Sequence, residues 1–316
     1  MPDTLDKHYD SVSTAIAEDE VIPFFGAGVN LCDRPDDLTW RPGCPYLPSG
    51  GELAEHLAEK YHYSWSDKQD LARVSQYAAI MMGDGSLYKE LRRLFIAKYE
   101  PTALHRFFAT LPRIRRQKNY ATNGLLIVTT NYDDMMERAF KEAGEDYDLV
   151  TYVSEVNKPG RFWHLSPDGK VHIIDKPNKY RGLSLEKRSI ILKIHGAIDR
   201  ENSKRDSFVI TEDNYIDYLA RTDISNLIPA TVAAELSDKH FLFLGYSLRD
   251  WNLRVLLHRI WREQARSFKS WAILLNAETY DQEFWRKREV DIYDLRLEDY
   301  IATLAERVKS LPAKEV

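Results

Sequence analysis

Two cysteines in 316 residues, Cys32 and Cys44, are too few and too far apart for a cysteine-rich structural zinc site, and they provide no disulfide framework. No run approaches the roughly 20 apolar residues that span a bilayer, and Met1-Pro-Asp-Thr-Leu-Asp-Lys7 has no signal-peptide core, so a cytoplasmic chain without membrane contact is expected. Nor is there an excess of basic charge. The 44 Lys and Arg stand against 49 Asp and Glu, a formal charge of -5, which argues against a chain-wide nucleic-acid footprint and leaves no direct nucleic-acid binding expected. The one basic cluster, Leu111-Pro-Arg-Ile-Arg-Arg-Gln-Lys118, reads as a solvated loop before a strand. Low-complexity tracts and internal repeats are missing too. With 44% hydrophobic and 29% charged residues, the composition is that of a globular chain with one main core.

What is present is organised around Leu125-Leu-Ile-Val-Thr-Thr-Asn131-Tyr-Asp133-Asp-Met-Met136. Four apolar residues suit a strand buried on both faces, and Met136, Ala139, Phe140 and Ala143 then recur at helical spacing until Gly144 stops the helix. In a parallel sheet such a junction lies at the carboxyl edge, where Thr129, Thr130, Asn131 and Asp133 would face a cleft. Asp133 and Asp134 also suit a helix start.

The same plan recurs along the chain. The run ending at Phe25 leads into Gly26-Ala27-Gly28-Val29-Asn30, where glycines would let the main chain approach a diphosphate; an ordinary tight turn reads equally well, because a third glycine is missing at Leu31. Residues 31–51 read as a long loop over the cleft, and Glu52 to about Phe108 as a helical layer on one flank of the sheet. Tyr147–Tyr152 is a strand candidate, and 153–189, around Val171–Asp175, reads as a small inserted hairpin module. Ile190–Ile194 ends on His195-Gly196, and Phe208–Thr211 leads to a helix from Asp213, with another through Ile224 to Leu236. Lys239–Leu244 ends on Gly245-Tyr246-Ser247, before Asp250 and a helix from Leu253 to Trp261, and Trp271–Leu275 ends on Asn276. The expected fold is α/β: a doubly wound, Rossmann-like parallel sheet in a single domain over 1–316, with a helical insertion at about 50–120.

The ordered set Gly26-Ala27-Gly28, Thr130-Asn131-Tyr-Asp133, His195-Gly196, Gly245-Tyr-Ser247 and Leu275-Asn276 resembles the sirtuin-like family over roughly residues 20 to 300. The resemblance implies that the first motif, with Asn30 and Thr130, wraps NAD. It further implies that Asn131 and Asp133 hold the nicotinamide ribose and its water, that His195 is the catalytic base, and that Gly245, Ser247 and Asn276 meet the adenosine half. Three features depart from the family pattern. Asn30 stands where Ser is usual, the paired cysteines of the zinc ribbon are missing, and the loop after Asn30 lacks Pro-Asp-Phe-Arg. Pro48-Ser-Gly-Gly-Glu-Leu53 is similar to a stretch of the zinc-free bacterial branch, which looks like NAD-degrading effectors of antiphage defence.

Taken singly, Asn131 and Asp133 also fit a turn plus helix cap, and His195 a satisfied core histidine. The other histidines, His8, His56, His62, His105, His164, His172, His240 and His258, lack such a setting, and Trp251 and Trp261 read as helix core. The resemblance implies a metal-free NAD glycohydrolase, with NAD as substrate. The alternatives are an NAD-dependent protein deacylase and a silent sensor binding NAD or ADP-ribose. An unrestrained NAD hydrolase would kill its host, so gating is expected through a homo-oligomer or through a partner, of which a HerA-like hexameric ATPase or an Argonaute-like protein is common in the family.

Overall fold

The structure, a computed structural model, describes residues 2–154, 160–220, 228–247, 254–255, 257–258 and 269–315. Asn157, Ile224, Asp250, Trp251, Leu253 and Trp261 lie outside the described residues. Numbered in chain order among the described residues, nine strands form one sheet in the order β11-β10-β9-β1-β2-β6-β3-β4-β5, and β7 (Gly196–Ala197) and β8 (Ser207–Phe208) form a separate antiparallel pair. Its centre is β1 (Val21–Phe25), β2 (Leu126–Thr129), β6 (Ser189–Lys193) and β9 (His240–Leu244), all parallel. β3 (Tyr147–Val153) continues it in parallel. On the far flank lie β10 (Ser270–Leu274) and β11 (Val290–Asp294). The chain leaves β1 towards β2 and β6, then returns to β9 on its other side. β1 is therefore the switch point, and the crevice outside its carboxyl end is where such sheets take ligands.

Alternation along the central strands builds two cores. Phe24, Val128, Ile190, Leu192 and Phe243 pack on one face with Val232 and Leu236 of α8 (Ala230–Asp238). Phe25, Ile127, Ile191 and Leu242 pack on the other with α1 (Pro2–Ala17), α5 (Ala103–Gln117), α6 (Met135–Ala143) and the terminal helix Leu297–Ser310. Each such fully buried Phe, Leu or Ile contributes about 1.5–3 kcal/mol.

A third core joins α2 (Gly50–Lys60), α3 (Leu71–Met82) and α4 (Asp84–Phe95) to Tyr132, Met135, Ile198, Phe208 and Ile210. These three helices thus sit on segments leaving the strand ends, not on a sheet flank as the periodicity alone suggests. Only α5 of the helical stretch packs on a face.

The basic segment Leu111–Lys118 is no loop: its first seven residues, Leu111 to Gln117, close α5, with Pro112 inside the helix and Arg115 buried. Leu104, Phe108 and Leu111 at helical spacing outweigh the local breaker signal. The inserted hairpin, β4 (Arg161–Leu165) and β5 (Val171–Ile174), extends the main sheet antiparallel from β3.

Candidate active site

The carboxyl ends of β1, β2, β6 and β9 open into a cavity of about 350 Å3 lined by Ala27, Gly28, Asn30, Thr130, Asn131, Asp133, His195, Gly245 and Ser247. A second cavity of about 360 Å3 shares Gly28, Gly245, Tyr246 and Ser247 and runs on to Leu274, Leu275 and Arg296. Together they form one cleft within the range of about 300–1,000 Å3 usual for small-molecule sites.

The glycines set the cleft floor. Gly26 N–H donates to Leu244 O at 3.0 Å and Gly28 N–H to Gly245 O at 2.8 Å, fastening the first loop to the end of β9. Gly245 has φ +65, and a Cβ there would lie 2.3 Å from Val29 N. Only glycine permits that approach. Gly26 lies under the cavity and not on its wall; its carbonyl accepts the Asn131 Nδ2 at 3.2 Å, which leaves the Asn131 carbonyl as the end available to a ligand.

β2 ends in a hydrogen-bonded turn. Thr129 Oγ1 donates to Phe25 O at 3.1 Å and accepts Asn131 N–H at 3.0 Å. Asp133 Oδ1 accepts Met135 N–H at 3.0 Å, which starts α6, while its Oδ2 accepts Asn30 Nδ2 at 2.8 Å. Both readings of Asp133 therefore meet in one residue: its carboxylate holds the first N–H of α6, whose N-cap position is Asp134, and stays buried on the cavity. Asn30 replaces the usual Ser without leaving the site, and its Oδ1 is buried with no hydrogen-bond partner. The amide orientation is dictated, since the reverse would set oxygen against carboxylate oxygen.

His195 is delivered by β6, its carbonyl accepting Val209 N–H at 2.8 Å and its ring meeting Tyr215 and Tyr218 edge-on at 5.4 and 5.7 Å. Gly196 (φ +86) lets the chain turn there, because a Cβ would lie 2.1 Å from Ser207 O. Asn276, by contrast, is exposed beyond β10, with its N–H on Asp294 Oδ1 at 2.9 Å, and lines neither cavity; its neighbours Leu274 and Leu275 do.

Sequence reasoning missed several lining residues. Ser49, Gly50 and Gly51 bring the amino end of α2 to the first cavity, with Ser49 and Glu52 forming a capping box. The motif Ser-x-x-Glu before an apolar run was the available signal. Glu52 also holds Arg34 of the second cavity. Burial would raise its pKa, but Arg34 and Ser49 outweigh this and bring it down to about 2. Phe95 and Tyr215 reach the cavity from distant helices, with no local signal. Among the described residues no group of three or more His, Cys, Asp or Glu could hold a metal, and no helix is long and apolar enough to cross a membrane.

A SIR2-like domain profile matches residues 125–293. The chain is 24% identical over 246 residues to NAD(+) hydrolase ThsA of Cytobacillus dafuensis, covering 78% of this chain and 39% of that protein. It is 25% identical over 259 residues to Defense-associated sirtuin 2 of Bacillus subtilis, covering 79% and 20%. It is 29% identical over 255 residues to NAD(+) hydrolase ThsA of Acinetobacter baumannii (strain 532279), covering 79% and 41%. The chain thus spans about two fifths or less of the length of these curated relatives.

Proposed function

The chain belongs to the SIR2-like family, and from that membership we propose that it is a metal-independent NAD glycohydrolase, releasing nicotinamide and ADP-ribose. The observation that carries this reading is the convergence of Asn131, Asp133 and His195 on one cavity from two adjacent strand ends. Breaking the nicotinamide C–N bond expels a neutral leaving group and leaves an oxocarbenium-like ribose. The site must mainly position the ribose, keep out bulk water and offer negative charge. The buried Asp133 carboxylate, held by Asn30 and the α6 start, supplies that charge. The Asn131 carbonyl is placed to fix a ribose hydroxyl or the attacking water, and His195 to take the proton. The amino end of α2 beside Ser49–Gly51 favours the diphosphate. The adenosine half would lie in the second cavity, past Ser247 and Gly245 and towards β10, with Asn276 outside its wall.

The relatives' names, NAD(+) hydrolase and defense-associated sirtuin, support a role in defence, and we propose that it acts against phage by depleting NAD and aborting the infection. Such an activity needs restraint. We propose a cytoplasmic effector gated by homo-oligomerisation or by a partner, a HerA-like ATPase or an Argonaute-like protein among the candidates.

The deciding experiment follows NAD loss and products with the purified chain, Asn131→Ala and His195→Ala, with and without an acetylated peptide. ADP-ribose release without peptide, reduced at least about 100-fold in both variants, is the expected result. Turnover only with peptide would make the chain a deacylase. Binding of ADP-ribose without turnover, even with partners added, would make it a sensor.

A further inference from the structure

Lys193 is the last residue of β6 and is 1% exposed. Strand alternation sets it on the side of Ile191, which packs with Met136, Ala139 and Phe140 of α6. Its register partners are Thr129 of β2 and Thr151 of β3. Its ammonium donates to the main-chain oxygen of Asp133 and pairs with Glu137 Oε1 at 2.8 Å. Glu137, in the first turn of α6, is itself buried, and its Oε2 has no hydrogen-bond partner. Burial raises the Glu137 pKa while Lys193 opposes the rise.

Stability alone does not account for this arrangement. Withdrawing an ammonium and a carboxylate from water costs several kcal/mol per ion, and well-packed apolar replacements of such pairs are often neutral or stabilising. Between Ser189, which opens the strand, and Lys193 the side chains are apolar, Ile190, Ile191 and Leu192, and Ile194 follows directly after it. What the ammonium does that a methyl could not is to hold a main-chain oxygen in the segment that carries Asn131 and Asp133. Two residues further on, the same strand end delivers His195.

We propose that Lys193 and Glu137 are positioning residues: Glu137 orients the ammonium, and the ammonium locks the Asn131–Asp133 segment to the strand end that bears His195. This rests on the NAD-cleaving reading above. Neither residue lines the first cavity, so neither is placed to touch the substrate. Their effect passes through the geometry of the three groups that do line it, and a small misplacement of such groups is costly in rate.

The test compares the full chain with Lys193→Met, Glu137→Gln and the double variant by thermal unfolding, kcat and KM for NAD, and calorimetric affinity for ADP-ribose. Lys193→Met strands a buried carboxylate and should lower both Tm and kcat. In the double variant Tm should return to near the parent value while kcat stays roughly 10- to 100-fold down and KM moves less than about threefold. Recovery of kcat together with Tm would show a purely structural pair and overturn the proposal. If the double variant does not fold, Glu137→Gln alone decides, because its amide still accepts from Lys193 but carries no charge. A lower kcat at unchanged KM supports the positioning role, and an unchanged kcat overturns it. If the parent chain binds ADP-ribose without turnover, affinity replaces kcat in the same comparison. A parent chain that neither cleaves NAD nor binds ADP-ribose removes the functional reading and this proposal with it.

Discussion

Each end of the central sheet buries a cation, and the two cations hold different things. At the amino end Arg115 of α5, 1% exposed, pairs with Asp19 at 3.2 Å. Lys239 reaches the same carboxylate at 2.8 Å and Glu235 at 2.6 Å. Asp19 sits in the turn from α1 to β1 at φ +66, so this network ties together one turn, the helices α5 and α8, and the start of β9. Burial lowers the Arg115 pKa, with Asp19 opposing. At the carboxyl end Lys193 holds a main-chain oxygen between candidate catalytic groups. The chemistry is the same, but one network fastens scaffold to scaffold and the other fastens scaffold to site. Sheets of this kind bind ligands only past their carboxyl ends, so the position of a buried charge along the strands tells which use it serves.

The comparison breaks most visibly at Asp19. Asp19→Asn keeps a residue that tolerates the left-handed backbone but leaves Arg115 buried without a counter-charge, a loss of about 3–5 kcal/mol. Chemical denaturation should report that loss, while kcat measured below the new Tm should match the parent. A kcat that falls well below the melting range would erase the distinction between the two ends. Gly245→Ala acts at the other end. Its Cβ would press on Val29 N at a left-handed φ that alanine rarely adopts, so the loop bearing Asn30 must shift. We expect a cost of about 1–3 kcal/mol and, unlike Asp19→Asn, a roughly 10-fold or greater fall in ADP-ribose affinity by calorimetry.

The two networks were not equally legible. Buried parallel strands announce themselves as apolar runs, which is why β1, β2, β6, β9 and β10 and the polar residues at their ends could be read directly. Asn30, Thr130, Asn131, Asp133, His195, Gly245 and Ser247 line one cavity for the same reason, each following such a run. β11 was missed because it is a flanking strand with half-exposed side chains, and its mixed pattern resembles loop; β4 shares that pattern and was expected only as an unplaced arm of the inserted hairpin. Asn276 follows a buried run yet faces solvent, since β10 lies two strands from the switch point and its end turns away through φ +57. Arg115 was hidden in a basic cluster whose Pro112 argues for a loop, and only Asp19, far away in sequence, explains its burial. Lys193 was visible as a charge inside an apolar strand. Its partners, on α6 and in the turn before that helix, lie far upstream in the chain and are tertiary information that no local pattern carries.

The last expected difference between the ends is their response to acid, and it follows from His105. This residue is buried at the start of α5, its Nδ1 accepting Thr102 N–H at 3.2 Å, while Thr102 Oγ1 donates to Val29 O at 3.3 Å beneath the glycine loop. Burial lowers its pKa to about 4; Asp133 and Asp33 oppose that fall, and Lys193 and Arg106 add to it. An acceptor Nδ1 must lose its cap bond on protonation, which agrees with the direction. The folded pKa lies below the unfolded one, so below pH 6.5 the unfolded chain takes up the proton first. Stability is therefore fully present above about pH 6.5 and declines as pH falls towards about 4, by up to roughly 3 kcal/mol. His105→Gln keeps a capping-box acceptor at the same helix position but cannot titrate. Its Tm should fall less steeply than the parent's between those limits, the remaining slope belonging to His8, which burial also lowers to about 4, and near the acid limit to carboxylates held low by their partners, such as Glu52. Equal slopes for parent and variant would move acid sensitivity away from the carboxyl end, leaving the two ends alike in this respect.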